Sequence, residues 1–254
     1  MEYSNTKLIV LSILSLLIIG LAIFTGKATY RRLKNFSHLV TASTQFAEAD
    51  PLNIIKKIIP ENPIILEAGA RWGEDTIRMS KMWPHGLIYA FEPLPSSIST
   101  LKENIKDYEN ILFYPLALND VSGQATFYVS TNNPGGSTLN KPTGSIVQIY
   151  FTEQKSIIVP CITLDDWATA NHVSHIDFMW LDMEGHELTV LKSVKSNILD
   201  QVKAIYMEVT FSKDWENMSD FNEIQSWMKQ HDFRQIYYLE QCPKHQANVI
   251  YSRV

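Results

Sequence analysis

The chain has 254 residues, 45% of them hydrophobic and 19% charged, which suffices for one full α/β domain with a short appendage and excludes a disordered chain. Its net charge of −5, with no stripe of Lys and Arg interleaved with aromatics in the globular part, argues against nucleic acid as a partner. Two cysteines, Cys161 and Cys242, have neither metal-ligand spacing nor the count of a disulfide framework.

Leu8 to Phe24 holds only apolar residues, two serines and a glycine, and extended to Gly26 it gives about 19 residues, near the length that crosses a bilayer core of roughly 30 Å. A cleaved signal peptide is the rival, but the run is longer than a usual h-region and no small-x-small cleavage site clearly follows. Lys27, Arg31, Arg32 and Lys34 come directly after it, so the positive-inside rule predicts a single-pass membrane protein with its carboxyl-terminal side in the cytosol. Residues 1–26 are thus read as a membrane anchor, 27–60 as a juxtamembrane linker with a capping helix, and 61–254 as the main domain. Ile54, Ile55, Ile58 and Ile59 recur at the spacing of one helix face.

The main domain opens on an apolar strand, Ile64 to Leu66, then Glu67, then a turn holding Gly69 and Gly73 before a helical pattern begins near Asp75. Such a turn lets a ligand approach bare backbone while the N–H groups of the helix start face it. A dinucleotide fingerprint needs Gly-x-Gly-x-x-Gly, and its middle glycine is here Arg71. The spacing therefore favours a nucleoside ligand without a pyrophosphate and disfavours a nicotinamide-dependent oxidoreductase.

After a helix to about Met82, the strand Leu87 to Phe91 ends in Glu92-Pro93, an acid suited to the two hydroxyls of a ribose. Pro95 to Tyr108 reads as a helix and Ile111 to Leu118 as a third strand, ending in Asn119-Asp120, suited to an adenine edge. Gln124 to Ser130 alternates as an edge strand. The loop Thr131 to Thr143, with Pro134-Gly-Gly136, reads as a lid bordering an acceptor site.

Ile157 to Thr163 reads as a strand, followed by a short helix opening at Leu164-Asp-Asp-Trp167. The run from Ile176 to Leu181 is a central strand that delivers Asp182, Glu184, His186 and Glu187 to its carboxyl end, the edge where open α/β sheets bind ligands. A further strand, Ala204 to Met207, brings Glu208 to the same edge. Glu67, Glu92, Asp182, Glu184 and Glu208 would then converge on one crevice, and so many carboxylates attract a cation rather than a phosphate. S-adenosylmethionine, with its sulfonium, ammonium and ribose, matches that distribution, and its carboxylate would meet the N–H groups after Gly69 together with Arg71.

Glu67-Ala-Gly-Ala-Arg-Trp-Gly-Glu-Asp-Thr76, Phe91-Glu-Pro93, Thr163-Leu-Asp-Asp166 and Leu181-Asp-Met-Glu-Gly-His-Glu-Leu188 together resemble the FkbM-type S-adenosylmethionine-dependent methyltransferases, over about Ile64 to Val254. The resemblance implies a class I methyltransferase fold. This is a Rossmann-like, seven-stranded, mostly parallel sheet with flanking helices, closed by a hairpin of Phe233–Leu239 and Ala247–Tyr251 after a helix near Asp220–Gln230. It also implies O-methylation, often of a sugar or secondary-metabolite hydroxyl. Many relatives carry lysine at the position of Trp180, and the first acid is more often aspartate than glutamate, so Trp180 is either core or an aromatic platform.

On this reading the cofactor is held by Glu67, Gly69, Arg71, Gly73, Glu92, Asn119 and Asp120. Asp182 is the acceptor-facing base, His186 the second candidate, and Glu184 and Glu208 lie on the acceptor side. The site is expected to work without a metal, a divalent ion between Asp182 and Glu208 being the alternative. The acceptor is expected to be a small molecule or a glycan. A membrane-tethered cofactor-binding module without catalysis is the competing function.

Overall fold

The computed structural model describes residues 50–130, 134–143, 154–211, 215–216, 218–242 and 246–254. The expected anchor over Leu8–Gly26 and the linker as far as residue 49 lie outside the described residues. Among those described, no helix is long and apolar enough to cross a membrane.

Among the described residues, seven strands form one sheet in the order β3-β2-β1-β7-β8-β10-β9. They are β1 (Ile64–Ala68), β2 (Leu87–Phe91), β3 (Ile111–Tyr114), β7 (Phe178–Leu181), β8 (Ala204–Thr210), β9 (Phe233–Cys242) and β10 (Gln246–Arg253). The first five pair in parallel, and β10 runs antiparallel to both β8 and β9. Strand order reverses beside β1, where β1 pairs β2 on one side and β7 on the other. The carboxyl ends of these three strands, Ala68, Phe91 and Leu181, lie in register at one edge. Ligands of open α/β sheets bind at such a switch point.

Side chains alternate between the sheet faces, and each face has its own core. Leu66, Phe91, Met179, Leu181 and Met207 pack with Trp167 of α4 (Leu164–Ala170), Leu188 and Leu191 of α5 (Glu187–Ser193) and Trp227 of α6 (Phe221–Gln230). Ile65, Ile88, Phe178, Trp180 and Tyr206 pack with Leu52 and Ile55 of α1 (Pro51–Ile55), Met79 of α2 (Glu74–Met82) and Leu101 of α3 (Pro95–Ile105). The architecture is the three-layer class I methyltransferase fold.

Helix boundaries follow local chemistry. Asp50 caps α1 through its bond from Leu52 N at 3.0 Å, Pro95 opens α3, Thr163 caps α4 and Asp220 caps α6. The capping helix is short, ending at Ile55, although Ile59 beyond it is also buried. Trp180 is 4% exposed and stacks on Tyr206 with centroids 3.8 Å apart, so it is a core residue and no platform for a sugar ring.

One stretch departs from the sequence reading. The third strand stops at Tyr114; after Pro115 the chain leaves the main sheet, and Ala117–Leu118 (β4) join a second sheet in the order β4-β6-β5. Proline lacks the N–H that a strand interior needs. The partners are β5 (Gly123–Ser130) and β6 (Gln154–Ile162), whose buried Phe127, Val159 and Cys161 pack with Leu94 and Ala117. This small sheet stands over the switch-point edge.

Candidate active site

The turn after β1 is held by close backbone packing. Gly69 has φ +92°, and a Cβ there would lie 1.9 Å from the carbonyl oxygen of Asp182. Glycine is therefore required sterically as well as conformationally. Asp182 N donates to Ala68 O at 2.9 Å, which draws the ends of β1 and β7 together.

Four backbone donors of this turn are already engaged. Gly69 N and Ala70 N both donate to Phe91 O, at 3.0 and 2.9 Å, Arg71 N donates to Glu92 Oε2 at 2.8 Å, and Gly73 N donates to Ala70 O at 2.7 Å. The first three of these N–H groups hold the β1 turn to the end of β2, and the fourth closes the β1 turn on itself. The cationic group left for an anion is the Arg71 guanidinium, which lies over the Trp72 ring with Cζ 4.2 Å from its centroid. Its Nε is buried with no hydrogen-bond partner among the described residues.

A cavity of about 190 Å³ opens at the strand ends, lined by Gly69, Arg71, Glu92, Leu118, Asp182, Glu184 and His186, with Pro134, Gly135 and Ser137 of the following loop. Arg71 and Glu184 both have left-handed backbones, φ +50° and +54°, a conformation that costs side-chain-bearing residues of order 1 kcal/mol. Strain of this kind, on two residues facing one cavity, marks the edge as a built site.

The carboxyls are far from their solution behaviour. Burial pushes Glu92 up to about 7, against the lowering effect of N–H bonds from Leu94 and Arg71. Asp182, Glu184 and Glu208 are all raised by burial; nearby carboxylates add to it, and Arg71 opposes it for the first two. Ligand atoms of these three acids lie within 4.8 Å of one another, a group that could hold a divalent cation. Glu187 lies behind them, its Oε1 accepting from Met183 N at 2.7 Å.

The predicted site residues fall into three places. Gly69, Arg71, Glu92, Asp182, Glu184 and His186 share the cavity, and Glu208 adjoins it through Asp182 and Glu184. Glu67 is 1% exposed behind the turn, where its Oε2 accepts from Thr76 Oγ1 at 2.5 Å and burial raises it to about 8; Gly73 caps α2 with φ +86°. Asn119 and Asp120 line a second, larger cavity of about 520 Å³, while Leu116, Ala117 and Leu118 line the first at the place expected for them.

Two residues of the site have no local signature in the sequence. Thr138 Oγ1 donates to Met183 O and Glu184 O at 3.2 and 3.1 Å, and Asn140 Oδ1 sits 2.9 Å from His186 Nδ1. The described part of the predicted lid, residues 134–143, is thereby tied to the loop after β7.

The donor set suits a cationic nucleoside with an anionic tail: an acid at the β2 end for a ribose, acids beside it for a sulfonium and an ammonium, the Arg71 guanidinium for a carboxylate, and apolar Phe91, Pro93 and Leu118 for a base.

Comparison with known proteins agrees. The chain is 26% identical over 194 residues to the 2-O-methyltransferase NoeI of Sinorhizobium fredii, covering 73% of this chain and 79% of that protein. It is 26% identical over 173 residues to Methyltransferase 1 of Beauveria bassiana, covering 61% and 67% of the two. Among solved structures, a methyltransferase FkbM from Methylobacillus flagellatus superposes with a TM-score of 0.52 at 13% identity over 76% of this chain, which spans 44% of that protein's length. The model of the methyltransferase FkbM domain matches residues 67–235, and the chain belongs to this family of S-adenosylmethionine-dependent methyltransferases.

Proposed function

We propose that the protein transfers a methyl group from S-adenosylmethionine to a hydroxyl of a small molecule, sugar, glycan or glycolipid, and that its amino-terminal apolar segment tethers it to a membrane with the domain in the cytosol. The observation that carries the reading is the meeting of Arg71, Glu92 and Asp182 in one cavity that adjoins a second, polar one through His186. The name of the relative NoeI supports oxygen as the accepting atom.

When bound, S-adenosylmethionine supplies an electrophilic methyl on a sulfonium, so an oxygen–carbon bond forms as the carbon–sulfur bond breaks and its electron pair stays on sulfur. The chain has to align the acceptor oxygen and receive the hydroxyl proton. Asp182 is the proton acceptor in this reading, a raised carboxylate at the end of a rigid strand. Glu92 accepts from the ribose hydroxyls, Arg71 meets the carboxylate, and Gly69 permits the close approach of strand ends that shapes the cavity. Glu184 and Glu208 line the acceptor side or, as a variant of the same reading, hold a divalent cation with Asp182.

Full-length protein incubated with methyl-labelled cofactor and cell-envelope extract is expected to label a product identifiable by mass spectrometry. Asp182→Ala is expected to leave cofactor binding measurable by calorimetry while turnover falls by at least 100-fold. Turnover of that variant at the wild-type rate removes Asp182 from the mechanism. Cofactor binding without transfer to any extract would favour the tethered binding module instead.

A further inference from the structure

His186 stands in the wall between the two cavities, and it and Leu139 line both. It precedes α5, is 7% exposed, and is bracketed by two amides: its Nε2 is 2.9 Å from Asn119 Oδ1 and its Nδ1 is 2.9 Å from Asn140 Oδ1. A neutral imidazole offers one N–H and one lone pair, so it donates to one amide oxygen only. Both ring nitrogens face side-chain amides and not carboxylates, so the ring is read as neutral near pH 7.

The surroundings decide which nitrogen carries the proton. Asn119 is held by its own amide nitrogen, which donates to Val121 O at 3.3 Å and lies 3.7 Å from Cys161 Sγ, whose thiol donates to the same carbonyl. Turning the Asn119 amide would set its oxygen against that carbonyl oxygen. Asn140 is under no such constraint, because its Nδ2 is buried with no partner among the described residues. Its amide turns without losing a bond, presenting nitrogen to the ring.

We propose that Asn119 is a positioning residue that holds His186 as the Nε2–H tautomer, leaving the Nδ1 lone pair, covered by Asn140, to accept a hydrogen bond from a hydroxyl of the methyl acceptor while Asp182 takes the proton of the reacting one. The acceptor arrives from the larger cavity, where Thr126, Tyr128 and Thr189 add hydroxyls, and it displaces the Asn140 side chain, which is held through one amide atom only. The inference rests on the methyl-transfer reading for the acceptor's identity, whereas the tautomer stands on the amide geometry alone.

Long-range nitrogen–proton NMR on full-length protein in micelles, with 15N-labelled histidine, tests it without any acceptor. The chain has seven histidines, and His186→Gln assigns the one in question. At pH 7 the His186 signals are expected to show a protonated Nε2 and an unprotonated Nδ1. Asn119→Ala is expected to convert that pattern to a mixture of tautomers, and Asn140→Ala to leave it unchanged. An Nδ1–H tautomer or an imidazolium in the wild type overturns the proposal, as does a tautomer change in Asn140→Ala but not in Asn119→Ala. Calorimetry with S-adenosylmethionine on the same sample tests the enzymatic reading separately, so the two fail independently.

Discussion

The carboxylate of Glu92 accepts the backbone N–H of Arg71 at 2.8 Å, so the residue assigned to the ribose also ties the β2 end to the β1 turn. Its other oxygen accepts from Leu94 N at 2.7 Å, which holds the start of α3. A glutamine can accept only one of these N–H groups and points a donor at the other. Glu92→Gln is expected to lose about 1–3 kcal/mol of stability from the unsatisfied backbone donor and to weaken S-adenosylhomocysteine binding by roughly tenfold or more. Denaturant unfolding and calorimetry check the two effects. Unchanged stability with weakened binding would show that the residue acts on the ligand alone.

Gly69 and Gly123 form a matched pair of tests. Both have positive φ, but a Cβ at Gly69 would run into the Asp182 carbonyl, whereas a Cβ at Gly123 would meet nothing within 4 Å. Gly123→Ala is expected to cost about 1 kcal/mol, the conformational penalty alone. Gly69→Ala has to part the ends of β1 and β7, and a cost above about 3 kcal/mol, or failure to fold, is expected. Equal melting temperatures for the two variants would mean that the strand ends are not packed as closely as the backbone indicates.

The contrast between these glycines marks what the sequence discloses and what it withholds. A glycine turn after an apolar strand is legible from local chemistry, and so are the βα repeats, the acids at the strand ends and the terminal hairpin. Where the turn's N–H groups point is a tertiary matter: Phe91 O, supplied by the neighbouring strand, takes two of them. Pro115 was the available signal that β3 could not run on to Leu118, and its consequence is that Asn119 and Asp120 face the larger cavity. His186, four residues past its strand and open to a reading as a solvent-facing helical residue, is instead buried between two asparagines 46 and 67 positions away, a contact no local pattern encodes.

Burial of Glu67 against Thr76 couples stability to pH. Its pKa rises from 4.5 to about 8, so the native state binds more protons than the unfolded chain between those values. The stability it contributes is complete below about pH 4.5 and is lost as pH rises towards 8. Within that window unfolding free energy should fall by up to about 1.4 kcal/mol per pH unit from this group, with Glu92 and Glu187, each raised to about 7, adding in the same direction. Glu67→Gln keeps an acceptor for the Thr76 hydroxyl and removes the titration. Urea unfolding at pH 5, 6, 7 and 8 is expected to show a shallower decline in the variant than in the wild type, and identical slopes would place the Glu67 proton elsewhere.

Arg71 supplies the positive charge that opposes the raised acids of the cavity, lowering Glu92, Asp182 and Glu184 alike. Its buried Nε has no hydrogen-bond partner among the described residues, and the N–H groups of Gly69, Ala70, Arg71 and Gly73 are engaged within the protein. If the guanidinium recognises that carboxylate, the wild type should prefer S-adenosylmethionine over its decarboxylated analogue by on the order of tenfold or more, the value of one charge-assisted hydrogen bond. Arg71→Ala should lose the preference, because its loss removes the group that distinguishes the two ligands. It should weaken the analogue much less, since the acids that meet the sulfonium and ammonium remain in place. Competition calorimetry with both ligands on both proteins reads the ratio directly. A preference that survives in Arg71→Ala would assign the carboxylate to another donor and leave Arg71 as an electrostatic counterweight to the three acids.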